Sequence, residues 1–268
     1  MALTLTLRQP TTIPLDLREL VPGALAGLDQ GRIERWPLVW GGQSVPLGEL
    51  FQVRGDADHD SLVFEGDLAH VTGVGASLAT GEIRVCGSVG SRVGVGMQGG
   101  QLWVEGNAAD QAGLEMQGGL LVIEGNVGHD AGAAAVGRHF GMRGGTLLVR
   151  GSAGDRVGCR MRRGVIAVAG DCGALAAWEM QAGTLCIGGA WGSALGVGMR
   201  RGTIVLATPH SELPPYFAYG CRTDSVAWRL MERHLERHAF ELPVPRPVCD
   251  VYVGDRLEGG RGELLVAT

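Results

Sequence analysis

From residue 78 to residue 206 the apolar positions recur with a period that no helix has. Aligned on Leu78, Met97, Met116, Met142, Met161, Met180 and Met199, the chain repeats every 19 residues, with one step of 26. Five positions after each of these stands Ile83, Leu102, Leu121, Leu147, Ile166, Leu185 or Ile204. Seven positions after stands Val85, Val104, Ile123, Val149, Val168, Ile187 or Leu206, so both columns are wholly aliphatic. Positions two apart in a strand point to one face, and the double column predicts one short strand per repeat with an inward ladder. The residues between them, Arg84, Trp103, Val122, Leu148, Ala167, Cys186 and Val205, face the other way and are mostly apolar as well. That predicts a cover over the outer face, from a terminal segment or a partner protein.

Glycines punctuate the same period. Each strand is followed by G-x-x-G-x-x-x-G, for example Gly87, Gly90, Gly94 or Gly125, Gly128, Gly132, with alanine replacing a later glycine at Ala69, Ala109 and Ala177. The first column never varies and is expected to need positive φ, whereas the alanine-tolerant columns are expected to need only smallness. A further glycine stands three residues after every member of the methionine column.

Fixed-period strand and turn units stacked in register predict an all-β fold, a right-handed parallel β-helix of about seven 19-residue coils. At the usual strand spacing the rod is about 33 Å long. Three parts are expected: 1–57, an N-terminal strand (Leu3, Leu5, Leu7) and capping segment; 58–207, the repeat domain; and 208–268, a C-terminal helix and hairpin extension. The helix is expected from about Thr223 to Ala239 with a stripe of Ala227, Leu230, Met231, His234 and His238, followed by a hairpin in DVYVGDRLEGGRGELLVA.

The repeat disposes of the first candidate for chemistry. GVGMQGG carries Gly94, Gly96 and Gly99 in the G-x-G-x-x-G spacing of a dinucleotide loop, but that loop needs a helix to open on it, and a strand follows instead. The 46 glycines, far above the common share of about 7%, mark tight turns and disfavour helix over most of the length. All 23 basic residues are arginine, which excludes a Walker lysine, a Schiff-base lysine and any lysine nucleophile. The six cysteines form no C-x-x-C pair, and reduced thiols are expected. A net charge of −5 gives no support to nucleic-acid binding, and without a signal-like start or membrane-length apolar run the protein is expected to be cytoplasmic.

No catalytic or metal site emerges. DADHD, from Asp56 to Asp60, alternates carboxylates like a calcium loop, but Ser61 and Asp67 stand where glycine and glutamate are required. His234 and His238 are spaced i, i+4, yet HLERH is not H-E-x-x-H, and ordinary helix histidines are expected. One surface feature stands out: Arg143, Arg160, Arg162, Arg163, Arg200 and Arg201 flank the later methionines, with Arg138 and His139 in the seven-residue insertion. These arginines form either a solvated face or an anion track that binds carboxylates such as a polyglutamate chain.

The recurrence of G-x-x-G-x-x-x-G with M-x-x-G-x-[hydrophobic]-x-[hydrophobic]-x-G over about residues 60–208, led in by WPLVWGGQSVPLGELFQVRG, resembles the family of C-type subunits of formylmethanofuran dehydrogenase. Within it the resemblance is to the branch of the bacterial formyltransferase/hydrolase complex. What the resemblance implies is a non-catalytic structural subunit in one-carbon metabolism (formaldehyde oxidation), with no cofactor of its own. The complex would use methanofuran or methylofuran and tetrahydromethanopterin. Its partners would be an amidohydrolase-type formylmethanofuran hydrolase subunit, a formyltransferase subunit and a further dehydrogenase-like subunit, with no nucleic acid and no membrane. The alternatives are the C-type subunit of a tungsten or molybdenum formylmethanofuran dehydrogenase, or a glutamate-synthase-like β-helix domain, which uses similar glycines.

Overall fold

The computed structural model describes residues 2–57, 60–208, 213–242 and 248–268. Its regular structure is mostly strand. Its main sheet has 13 strands, and each repeat adds one strand parallel to the one before it. The pairing keeps the period of the sequence: Ile83, Leu102, Leu121, Leu147, Ile166, Leu185 and Ile204 lie in one cross-strand row. Slipping a strand by one residue would turn this row outward, so burial of the two aliphatic columns sets the register. Every residue of both columns is fully buried.

Two further inward rows complete the core. The methionine column is buried, and so is the row Val74, Val93, Ala112, Ala131, Val157, Ala176 and Leu195 in the preceding turns. On the far side of each repeat, single-residue parallel bridges link Leu68, Val89, Ala108, Val127, Ala153, Cys172 and Trp191 in order. Between these rows, polar side chains of one repeat accept backbone N–H groups of the next. Asn107 Oδ1 receives Asn126 N at 2.8 Å, Asn126 Oδ1 receives Ser152 N at 2.8 Å, and Asp155 Oδ1 receives Ala174 N at 2.8 Å. These bonds satisfy turn donors that have no strand partner.

The glycine columns differ from the sequence expectation. Gly125, of the never-varying first column, is not at positive φ; a Cβ there would instead lie 2.8 Å from the Gly106 carbonyl carbon of the neighbouring repeat. Left-handed backbone belongs to the third column, with Gly113 at φ +61° and the substituted Ala177 at +58°. It also belongs to the column after methionine, where Gly119 combines φ +81° with a would-be Cβ 2.5 Å from Gly99 O. The first column thus has the expected positive φ at Gly66 and Gly87, at +110° and +132°, and from Gly106 onward is kept by close backbone approach; of the two alanine-tolerant columns the third bends and the second does not.

Both ends of the ladder are closed by the chain's own flanks. Leu3–Leu7 adds parallel to Ser61–Glu65 and is followed by antiparallel Phe51–Arg54. At the other end Gly262–Ala267 adds parallel to Gly202–Leu206, and Val248–Gly254 and Ala218–Asp224 continue antiparallel as the closing hairpin and a last strand. The apolar outer face is covered by a terminal segment. Val122, Leu148, Ala167, Cys186 and Val205 form one buried cluster with Trp228, Leu235 and Phe240.

The C-terminal helix itself runs Val226–Glu236, starting later than expected because Thr223 and Asp224 belong to the preceding strand. Its buried face is Trp228 and Leu235 with Met231 beside them, whereas Ala227 and Leu230 point to solvent. His234 sits at the edge of this contact, its Nε2 3.0 Å from Thr146 Oγ1. Among the described residues no helix is long and apolar enough to cross a membrane.

Candidate docking face on the insertion side

The 26-residue repeat places its extra residues, around Ala134 to Phe140, on the turn side, where they lie along the neighbouring repeats. Side chains from several repeats pin them. Glu115 Oε1 receives Ala135 N and Arg138 Nε, both at 3.3 Å. Arg160 donates to Arg138 O at 3.0 Å and Gln181 Nε2 to His139 O at 2.9 Å. The Arg162 guanidinium lies 4.9 Å from the centre of the Phe140 ring. Underneath, Ala133 packs with Leu114 and Cys159 in a small apolar cluster whose fringe includes Val95, Ala135 and Trp178. The tip residue Val136 is fully exposed.

The six arginines expected to act together split into two groups. Arg160 is engaged, with Nε 2.8 Å from Glu179 Oε2 and its guanidinium 5.5 Å from the Trp178 ring. Arg200 approaches Glu258 at 3.4 Å, and Arg162 caps Phe140. Arg143, Arg163 and Arg201 are exposed, and among the described residues none of the three has a carboxylate partner. Arg143 and Arg163 are brought side by side as register partners of adjacent strands, whereas Arg201 lies two repeats farther on. The carboxylates were missed in the sequence, although Glu115 and Glu179 occupy the same position of the repeat as Arg160. That alternation was the available signal. Gln181, in the column of Arg162 and Arg200, was missed because an uncharged residue does not register in a search for charge.

Other groups are held inert. Burial pushes the thiols of Cys159, Cys172 and Cys186 up to about 11, 12 and 12, so they stay protonated at neutral pH. The Asp56–Asp60 run lies partly outside the described residues. Gly94 and Gly96 sit in a turn that leads to the strand Gln101–Val104, and no helix opens on them.

The chain is similar to known proteins over this same architecture. The GXGXG motif family matches residues 69–240. A chain in the crystal structure of the formyltransferase/hydrolase complex (FhcABCD) from Methylorubrum extorquens, in complex with methylofuran, is 39% identical. The match covers 99% of both chains with a TM-score of 0.90. The C-type subunit of the formyltransferase/hydrolase complex of Methylorubrum extorquens is 40% identical over 34% of this chain and 34% of its own length. The C-type subunit of a tungsten-containing formylmethanofuran dehydrogenase 2 of Methanothermobacter marburgensis is 35% identical over 34% of this chain and 35% of its own. These two alignments thus span about a third of each curated relative. With the family model covering more than half of the chain and a solved relative matched from end to end, the chain belongs to the GXGXG motif family, in the branch of the formylmethanofuran dehydrogenase C-type subunits.

Proposed function

We propose that the protein is the non-catalytic structural subunit of a formyltransferase/hydrolase complex, in which formyl-tetrahydromethanopterin is converted to formate through formylmethanofuran or its methylofuran counterpart. The observation that carries this reading is the end-to-end likeness, 39% identity over 99% of both chains, to a chain of the complex that contains methylofuran. Its partners on this reading are an amidohydrolase-type hydrolase subunit, a formyltransferase subunit and a dehydrogenase-like subunit, all cytoplasmic. Residues 58–207 form the repeat domain, a right-handed parallel β-helix, with 1–57 and 208–268 as its caps.

The exposed Arg143, Arg163 and Arg201 are the part of the arginine track open to a carboxylate ligand, whereas Arg160, Arg162 and Arg200 already have protein contacts. The furan coenzymes implied by the family carry a glutamyl chain, and exposed guanidiniums worth about 0–1 kcal/mol each would hold such a chain while letting it slide. Replacing Arg143, Arg163 and Arg201 together by glutamine is expected to leave the complex assembled and to lower the salt sensitivity of polyglutamyl coenzyme binding. Unchanged coenzyme binding across a salt series removes the track.

The function is tested by assaying formate release from the formylated furan coenzyme with this chain alone and with the co-expressed complex. The expected result is activity only in the complex. Turnover by the isolated chain contradicts the proposal.

A further inference from the structure

One flank of the helix that covers the outer strand face borders a cavity of about 280 Å³, closed on its other sides by the chain that follows the helix and by the strand Gly202–Leu206. Its floor is apolar. Val205 and Phe240 are buried there, and Met231 and Leu242 are half-buried. The volume lies just under the roughly 300 Å³ at which small-molecule sites begin, and suits one inserted side chain.

Every charged residue that lines this cavity is a glutamate. Glu232 and Glu236 stand one turn apart on the helix and Glu241 follows Phe240, all three exposed. Carboxylates at i and i+4 of a helix repel each other. Elsewhere the surface sets opposite charges together, as in Glu115 with Arg138, Glu179 with Arg160 and Asp250 with Arg222. Here, among the described residues, none of the three carboxylates has an ion-pair or hydrogen-bond partner. The arginines of the region are engaged elsewhere or do not reach. Arg150, 5.6 Å from the centre of the Phe240 ring, pairs with Glu124 at 2.8 Å, and Arg229 pairs with Asp224. Arg233 in the helix and Arg237 at its end form no ion pair with the three glutamates.

Resting on the reading of this chain as an assembly subunit, we propose that the cavity docks a basic segment of a partner subunit, which seats one apolar side chain on Met231 and Leu242 and sets arginine or lysine against Glu232, Glu236 and Glu241. The charge of the occupant follows from the lining itself. Uncompensated carboxylates around an apolar floor are neutralised by cations that this chain does not supply, on a surface whose net charge is already −5. The stem of an arginine or lysine lies along apolar surface while its head reaches a carboxylate, so one segment satisfies both halves of the site. A second copy of this chain is disfavoured, because a two-fold contact at this face would set the three glutamates against their own equivalents.

The test uses the purified complex. Glu232, at the cavity wall, is replaced by the photo-crosslinking residue p-benzoylphenylalanine, which leaves Glu236 and Glu241 in place, and the complex is irradiated. The expected product is an adduct with one contiguous segment of another subunit that carries arginine or lysine. An adduct with an acidic segment, only between two copies of this chain, only within this chain, or with nothing, overturns the inference. In parallel, Glu236→Arg combined with Glu241→Arg is expected to weaken retention of that subunit by about tenfold, as loss of an anchoring contact does. Glu236→Gln combined with Glu241→Gln should weaken it less and lower its salt sensitivity. Both residues are exposed, so melting of the isolated chain should be unchanged by either pair, which separates docking from folding. Retention unaltered by the charge reversal contradicts the proposal. Wild-type chain that purifies alone defeats the assembly reading itself, whereas a wild-type complex that assembles and gives no basic adduct at residue 232 defeats only the docking site.

Discussion

Gly113 and Gly119 belong to the same turn, and both are at positive φ, +61° and +81°. They differ in what a side chain would meet. At Gly113 a Cβ finds its nearest neighbours, Leu121 and Leu147 methyls, at 3.5 Å, whereas at Gly119 it lies 2.5 Å from Gly99 O. Gly113→Ala should therefore cost about 1 kcal/mol of left-handed strain. Gly119→Ala should cost about 2–4 kcal/mol, because the neighbouring repeat must also move. Urea unfolding midpoints check this, and equal shifts would refute it. The glycine spacing was legible in the sequence, but its cause was not. Alanine tolerance was read as freedom from positive φ, when Ala177 shows that φ +58° accepts alanine wherever its Cβ has room. The left-handed row Arg92, Gln111, Asp130, Arg156, Leu175 and Ala194 was invisible for a related reason. Those turn backbones are held by bonds to adjacent repeats, and residue type there varies freely.

His234 gives a second prediction at this scale. Burial, with His238 and Arg237 nearby, lowers its pKa below the ordinary 6.5. The folded state therefore resists a proton that the unfolded chain accepts. Its contribution to stability is complete above about pH 6.5 and is lost as pH falls below that value. His234→Gln, which keeps a polar group near Thr146, should flatten the stability profile between about pH 7 and 5. A variant with the same slope as wild type would show that other groups set it.

Among the elements, the C-terminal helix was legible as a helix but not in its orientation. Ser225 receives Trp228 N at 3.2 Å, a capping bond that fixes the start and turns Trp228, Met231 and Leu235 toward the ladder. Counting the stripe from Thr223 instead selected Ala227 and Leu230, which the structure leaves in water. The cover over the outer strand face was expected from Trp103, Val122 and Leu148, and the helix supplies it. Trp228→Ala should cost about 3–5 kcal/mol of the helix's attachment and should increase binding of an apolar dye to the uncovered row. Dye binding at the wild-type level would mean that the helix is not the cover. The insertion is the opposite case. Strand pairs such as Leu121 with Leu147 bridge the long repeat in register. Deleting residues 134–140 should therefore preserve the ladder and shift stability by no more than about 1 kcal/mol, since the lost contacts are mostly exposed. A collapse in melting temperature would assign the loop a folding role.

For the molecule as a whole, the sequence carried the period, the parallel stack and the caps because each rests on local spacing that repeats along the chain. The docking face was only half legible. Arg143, Arg160, Arg162, Arg163, Arg200 and Arg201 stand out in the sequence. Their division into pins and free charges depends on Glu179, Glu258 and the path of the insertion, which only the fold brings into contact. The ladder binds the chain's own loop, closes both of its own ends and buries the thiols of Cys159, Cys172, Cys186 and Cys249, in keeping with the proposed role of holding others. The most direct test of that role is the native mass of the tagged chain purified from its own cells at low salt. The account predicts a single heteromeric assembly containing this chain together with hydrolase-type and formyltransferase-type subunits. A mass equal to this chain alone, or to copies of it alone, would contradict the account.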